Sequence, residues 1–227
     1  MVDLTTQQPD ETGHAPVQSS VFAALQYRAA GKRVFDLILA LLILPILGPV
    51  VCVLCLLVRR DGAHPLFGHE RVGLQGKKFR CWKIRTMVAD ADAQLTRLLE
   101  NDPAARREWD RDQKLTHDPR ITQFGSFLRK TSLDELPQIW NVLRGEMSFV
   151  GPRPVTRSEL ARYGEHLGHY LSVRPGVTGL WQVSGRNDLS YPERVRLDVD
   201  YCRRLSFPLD FQVLVKTAET VLRGNGR

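Results

Sequence analysis

At 227 residues the chain reads as one domain with at most an added segment. A net charge of +7 and a pI near 9.5 favour anionic partners such as phosphates, nucleotides, acidic head groups or nucleic acid, although plain solubility gives the same charge. Four cysteines, Cys52, Cys55, Cys81 and Cys202, exclude a disulfide-stapled miniprotein, and no Walker A, Rossmann glycine pattern, internal repeat or Cys/His metal set appears.

Residues 1–20 are rich in Thr, Gln, Asp, Pro and Ser and read as a disordered tail with no secretory signal. Residues 21–30 read as a short helix at a membrane surface. Residues 37–58 then form 22 positions without a charge, long enough to span a bilayer. Basic residues flank both ends: Arg28, Lys32 and Arg33 before, Arg59, Arg60 and Arg71 after, so neither end is marked as outward. Pro45 and Pro49, with Gly48, interrupt the middle. A break there turns the chain back; a kinked straight span is the equal alternative. Cys52-x-x-Cys55 lies among Val and Leu and reads as buried packing rather than a redox pair.

Gly62, Pro65 and Gly68 mark a loop leading to strand-like stretches at Leu66-Phe67 and Lys78-Phe79-Arg80-Cys81-Trp82-Lys83. Lys83 and Arg85 alternate and share a side, as in a solvated basic edge strand. Residues 90–113 are charged and helical, a surface pair with Leu95, Leu98 and Leu99 as its apolar face. His117-Asp118-Pro119-Arg120 is a turn, and Phe124-Gly125-Ser126-Phe127-Leu128 leads on to the centre of the chain.

That centre is Arg129-Lys130-Thr131-Ser132-Leu133-Asp134-Glu135-Leu136-Pro137-Gln138. Leu136, Ile139, Trp140 and Leu143 recur at helical spacing, predicting one apolar face. Two helix starts compete. Ser132 with Glu135 reads as a capping box, whereas Pro137 fits a helix whose N-cap is Asp134. An Asp in such a place is most often only a cap. Its company argues for more: Arg129 lies five residues before Asp134, and Arg153 follows in a rigid Gly151-Pro152-Arg153-Pro154 turn. Two carboxylates between two arginines suit phosphoryl transfer, one acid attacking or holding a metal while the arginines neutralise phosphate oxygens.

Beyond Pro154, residues 159–173 read as helix. His166 and His169 lack a third ligand and exclude a zinc reading. Residues 173–187 read as a structured loop in which Arg174 and Arg186 could reach a nucleotide or diphosphate, and Trp181 either stacks or packs. Residues 194–204 return to helix; Asp198 either helps to organise a ligand or, as the expected role, forms a salt bridge. Residues 210–222 form an amphipathic helix with Phe211, Leu214, Val215, Ala218 and Leu222 on one face, set on bilayer or core.

Ser132-Leu133-Asp134-Glu135-Leu136-Pro137-Gln138 and Asn141-Val142-Leu143-Arg144-Gly145-Glu146-Met147-Ser148-Phe149-Val150-Gly151-Pro152-Arg153-Pro154 closely resemble the bacterial sugar transferase family, the monotopic phosphoglycosyl transferases. Lys32-Arg33-Val34-Phe35-Asp36, Lys83-Ile84-Arg85-Thr86-Met87, Asp118-Pro119-Arg120-Ile121-Thr122, Arg174-Pro175-Gly176-Val177-Thr178-Gly179 and Gly185-Arg186-Asn187 match too, so the resemblance covers residues 31–222. It implies an α+β, mainly helical fold: a re-entrant membrane helix-break-helix, amphipathic interfacial helices and a small cytoplasmic catalytic domain. The chain then divides into a tail (1–20), a membrane-associated segment (21–60) and the catalytic domain (61–227). Family members usually break the membrane helix at a Ser-Pro pair; here Gly48-Pro49 stands in that place and Pro45 is extra. Asp36 is expected to pair with a basic residue at the membrane surface.

The resemblance further implies transfer of hexose-1-phosphate from a UDP-sugar, galactose or glucose, to polyprenyl (undecaprenyl) phosphate, with release of UMP, on the cytoplasmic face of the bacterial inner membrane as the first step of exopolysaccharide synthesis. Asp134 is the expected nucleophile and Glu135 the ligand of Mg²⁺. Lys83, Arg85, Arg129, Arg153, Arg174 and Arg186 are the expected phosphate or nucleotide contacts. The partners are the two substrates and membrane lipids, without nucleic acid; a homo-oligomer stays open. A non-enzymatic adaptor with a basic surface for anionic lipid or nucleic acid explains charge and anchor but not the Asp-Glu pair between arginines.

Overall fold

The computed structural model describes residues 26–112, 115–185 and 188–222. The expected tail and Arg186 lie outside them. A π-helical turn, Tyr27–Gly31, runs directly into α1, Lys32–Val58. The described end of the expected surface helix is therefore the root of α1. Helix α1 is long and apolar enough to cross a membrane, and little of it is buried. It continues as one helical element through Pro45 and Pro49 rather than as two helices split by a loop. Each proline removes one helical hydrogen bond and bends the helix. They stand one turn apart, so both lost bonds lie on nearly the same side and the bends add.

Lys32, Asp36 and Ala40, at i, i+4 and i+8, are buried and face the rest of the chain, while Leu41, Leu42 and Ile46 are exposed. Asp36 pairs with Lys32 at 3.3 Å, as expected, and also accepts from Ser148 Oγ and the Phe149 amide. Lys32 reaches Asp210 at 2.8 Å. At the other end of α1, Leu54 packs with Ile84 and Leu128. Both ends thus rest on the same body. Cys52 is exposed and Cys55 half-buried, which corrects the buried packing expected for this pair: among the described residues, the face of α1 that carries Cys52 is left uncovered.

Strands β1, Leu66–Val72, and β2, Lys78–Ile84, form an antiparallel hairpin, longer than the two stretches read from the sequence. Phe67 pairs with Lys83, His69 with Cys81 and Arg71 with Phe79, so these six side chains share one face. Helices α2, Ala91–Asn101, and α3, Pro103–Asp112, are the expected surface pair. Helix α4, Gln123–Thr131, is capped by Thr122 Oγ1, which accepts from the Gly125 amide at 2.8 Å. Gly125 lies so close to Thr86 that a Cβ there would come 1.9 Å from the Thr86 carbonyl oxygen. Only glycine lets α4 sit down on the end of the hairpin.

Helix α5, Gln138–Arg144, ends in a left-handed Gly145. Its buried side is Gln138, Ile139, Asn141 and Val142, whereas Trp140 is exposed, contrary to the expected apolar face. Asn141 explains the rotation: fully buried, it accepts from the Trp82 amide and donates to the Arg80 carbonyl and Glu146. A polar bridge to β2, not apolar periodicity, orients α5. A parallel pair follows, β3, Ser148–Val150, with β4, Gly176–Thr178. Between them lie a 3₁₀ stretch, Ser158–His166, and α6, Leu167–Leu171. Helix α7, Leu180–Ser184, occupies what reads as loop in the sequence, and its Trp181 is buried. Helices α8, Tyr191–Arg204, and α9, Phe207–Leu222, end the described chain.

The main core joins Ala40 of α1, Phe79 and Cys81 of β2, Val142 of α5, Tyr201 of α8 and Val213 of α9. On α9, Leu209 and Val213 face this core while Phe207, Phe211 and Val215 are exposed. Leu214 packs on the core, so the expected single face divides between protein and surface. The architecture is mainly helical with two small sheets, as the α+β reading expects.

Candidate active site

Helix α4 stops at Ser132, whose φ of 57° is left-handed. A residue in that conformation ends the helix and turns the chain. Leu133–Glu135 then form a single 3₁₀ turn, and α5 begins only after Pro137. Neither expected helix start occurs. Ser132 makes no side-chain cap for the turn, and Asp134 lies inside the turn rather than at a helix N-cap. The proline, lacking an N–H, is the residue that precedes α5 at no hydrogen-bonding cost.

This turn presses Asp134 inward, 7% exposed, with Glu135 beside it. Lys83, at the end of β2, reaches over both: its Nζ is 2.6 Å from Glu135 Oε1 and 3.7 Å from Asp134 Oδ2. Burial pushes the Asp134 carboxyl up; Lys83 pulls it down, Glu135 pushes it up and Arg129 pulls it down, leaving it above the usual carboxylate range. Burial pulls Lys83 down, but Glu135 and Asp134 more than offset this, so its ammonium ends above its ordinary value. Arg129 is held by Nε donation to Thr86 Oγ1 at 2.9 Å. Asp134, Glu135, Lys83 and Arg129 therefore form one cluster.

Arg153 lies further along the same hairpin face. It pairs with Glu159 at 3.3 Å, and Glu159 in turn binds Arg71 at 3.1 Å and the Thr156 amide at 2.8 Å. The charges of Arg71, Lys83 and Arg153 all act on His69, whose imidazole is pulled down first by burial and then by these cations, with Glu159 opposing them. A cationic strip thus runs from Lys83 past His69 and Arg71 to Arg153. None of Arg71, His69 and Glu159 is read from the sequence as a site residue; Arg71 is read there only as a basic flank of the uncharged stretch. The alternation of Phe67, His69 and Arg71 along β1 is the signal that carries them, once the pairing with Lys83 is known.

Two expected contacts lie elsewhere. Arg85 donates to the carbonyls of His64, Met87 and Val58 and pairs with Asp61 at 2.6 Å. It closes the loop after α1 instead of facing Asp134, because β2 ends at Ile84 and strand alternation stops there. Arg174 donates to the Gly145 carbonyl at 2.8 Å, next to Arg33, which donates to the Val142 and Leu143 carbonyls. The two arginines satisfy the last carbonyls of α5, at the end opposite Asp134.

Among the described residues no three His, Cys, Asp or Glu side chains converge on one point. The donor set at the turn is one pair of carboxylates. That suits a hard cation such as Mg²⁺, which takes one or two carboxylates together with substrate phosphates rather than an all-protein cage.

Comparison with known proteins gives the family. The bacterial sugar transferase family matches residues 27–224. Relatives include a UDP-galactose-lipid carrier transferase of Erwinia amylovora, 54% identical over 86% of this chain and 41% of its own length. The exopolysaccharide production protein ExoY of Sinorhizobium fredii is 46% identical over 86% of this chain and 87% of its own. A UDP-glucose:undecaprenyl-phosphate glucose-1-phosphate transferase of Escherichia coli is 37% identical over 82% and 39%. The chain thus spans about two-fifths of the length of several of these relatives. With a family match over nearly its whole described length, the chain belongs to the bacterial sugar transferase family.

Proposed function

We propose that the chain transfers hexose-1-phosphate from a UDP-sugar to polyprenyl phosphate, releasing UMP. The observation that carries this is the buried Asp134 beside Glu135, roofed by Lys83 and flanked by Arg129. An Asp134 oxygen attacks the β-phosphorus, forming an acyl-phosphate that carries the sugar and breaking the bond to UMP. An oxygen of the lipid phosphate then attacks the same phosphorus and releases Asp134. Both nucleophiles are already anions, so neither step needs a general base. The raised carboxyl matters here: a more basic carboxylate is a stronger nucleophile, and Lys83 and Arg129 keep it ionised.

Lys83, Arg129 and Arg153 neutralise phosphate oxygens as charge shifts to the leaving UMP. Glu135, with Asp134 next to it, would hold Mg²⁺, whose charge shields the diphosphate when bound. Galactose and glucose are the favoured hexoses, in line with the relatives' names.

The membrane reading is re-entrant. A straight helix of 27 residues is about 40 Å long and would carry one end across the hydrocarbon layer. Support for a path in and back comes from both ends of α1 lying on one body, from the two prolines between them and from the exposed apolar middle. The body then lies on the cytoplasmic face of the inner membrane, where water-borne UDP-sugar meets a lipid phosphate, the first membrane step of exopolysaccharide assembly. The exposed Phe207, Phe211 and Val215 of α9 would join that interface.

The test is UMP release from UDP-galactose and UDP-glucose by detergent-solubilised protein with Mg²⁺, with and without polyprenyl phosphate. Lipid-dependent release that falls at least about a thousandfold in Asp134→Asn supports the transferase. Equal rates in mutant and wild type would reduce Asp134 to a structural acid and end the covalent mechanism.

A further inference from the structure

Beside Arg153 lies a small pocket that the transfer steps above leave unused. It is lined by Arg153, Tyr163, Trp181, Tyr191, Arg194 and Asp198. Two arginines stand over its aromatic walls: the Arg194 guanidinium lies 4.8 Å from the Trp181 ring centre and that of Arg162 4.6 Å from Tyr191. The pocket is partly open to the surface, and the space within it is about 20 Å³, enough for one water-sized group.

Asp198 is the one carboxylate lining it, 3% exposed. The salt bridge expected for it from the sequence does not form among the described residues: Arg153 lines the same pocket and its charge is felt, but it pairs with Glu159, and the partner of Asp198 is a tyrosine. Its Oδ2 accepts from the Tyr163 hydroxyl at 2.7 Å, and its Oδ1 is buried with no hydrogen-bond partner. Folded proteins leave few buried acceptors empty, since each costs free energy that a donor would recover. One carboxylate oxygen is thus locked in place by a tyrosine while the other is open. The matching ligand group is a single hydroxyl, and aromatic walls suit the C–H face of the ring that bears it.

Resting on the transferase reading, we propose that Asp198 accepts a hydrogen bond from one hydroxyl of the donor's hexose, so that this pocket distinguishes a hexose from its epimer. Arg153 supplies the geometry. It lines the pocket and ends the cationic strip that leads to Asp134, so a phosphoryl group on that strip hands its sugar to the pocket. The ribose of the uridine also bears hydroxyls, and an experiment separates the two.

UMP release by the full chain in detergent is measured with UDP-galactose and UDP-glucose, which differ at one hydroxyl, for wild type, Asp198→Asn and Tyr163→Phe. Inhibition by UMP and thermal stability are followed in parallel. The expected result is a shift of at least about tenfold in the ratio of kcat/KM between the two sugars, in both variants, with unchanged UMP inhibition. Tyr163→Phe keeps the aromatic wall and removes only the hydroxyl, so it reports on Asp198 even if Asp198→Asn fails to fold. An active wild type whose variants keep the sugar ratio would overturn this inference alone. Equal losses for both sugars, with weakened UMP inhibition, would assign the pocket to the nucleoside and overturn it too. A wild type inactive on every UDP-hexose would sink the transferase reading together with it.

Discussion

Lys83 Nζ lies 2.6 Å from Glu135 Oε1, across 52 residues of chain, and this ion pair brings the end of β2 to the acidic turn. The same ammonium is 3.7 Å from Asp134 and opposes the effect of burial on it.

Asp134 must be ionised to attack, so activity is lost as pH falls through its raised pKa. The acid limb of the kcat/KM profile is therefore expected above the ordinary carboxylate range. In Lys83→Met the cation that lowers this pKa is gone, and the limb should move to still higher pH, with a loss of about a hundredfold at the optimum. A limb that stays in place would mean that Lys83 does not act on the nucleophile. The pH profile of UMP release reads this directly.

Arg85 and Arg129 read alike in the sequence but part ways in the fold. Arg85→Ala removes donors from three carbonyls and should cost about 1–3 kcal/mol of stability while the folded protein keeps its turnover. Arg129→Ala should do the reverse, with unfolding little changed and UMP release reduced. Thermal melts beside initial rates distinguish them. Equal catalytic losses in both would return Arg85 to the site.

Asp36→Ala leaves Ser148 Oγ, the Phe149 amide and part of Lys32 without their acceptor in a buried junction. A loss of about 3 kcal/mol is expected, Lys32 being still held by Asp210. Because the junction ties α1 to β3, protease cutting near residue 30 in detergent should also become faster. Unchanged stability and cutting would show that apolar contacts alone dock α1.

Burial pushes the Asp198 carboxyl up to about 7, with Tyr163 hydrogen bonding and the Arg153 charge only partly opposing it. With no hydroxyl bound, the folded protein therefore holds a proton at Asp198, on the open Oδ1, that the unfolded chain has released in the window from about pH 4 to 7; above that window Oδ1 is the acceptor that a hexose hydroxyl needs. Stability from this group is complete below that window and is lost as pH rises through it, by roughly 4 kcal/mol. Tyr170, Tyr191 and Cys202 also feel its charge but titrate well above the window. Unfolding in denaturant at pH 5 and pH 8 should show a smaller pH effect in Asp198→Asn than in wild type. Equal pH effects would mean that Asp198 keeps its charge when folded.

The chemistry that depends on neighbours in sequence was readable from the residues. Asp134-Glu135 between Arg129 and Arg153, the uncharged stretch of α1 with its two prolines and the surface pair α2–α3 all follow from local spacing and composition. The α5 face and the helix start were not readable in this way. Periodicity ranks Trp140 above Asn141, yet Asn141 satisfies two backbone groups of β2 and so takes the buried side. The left-handed Ser132 likewise ends α4 where residue preference suggests a cap.

The sequence by itself determined which residues could carry the reaction, because acid, base and apolar character belong to the residue. Only tertiary structure decided which of them meet. Strand register set Lys83 over Asp134 and left Arg85, two residues on, in a loop-closing role; helix length set Arg174 at the far end of α5. Tyr163 and Asp198, 35 residues apart, share a pocket through packing alone. Contacts of that range depend on how whole elements stack, which local periodicity does not encode.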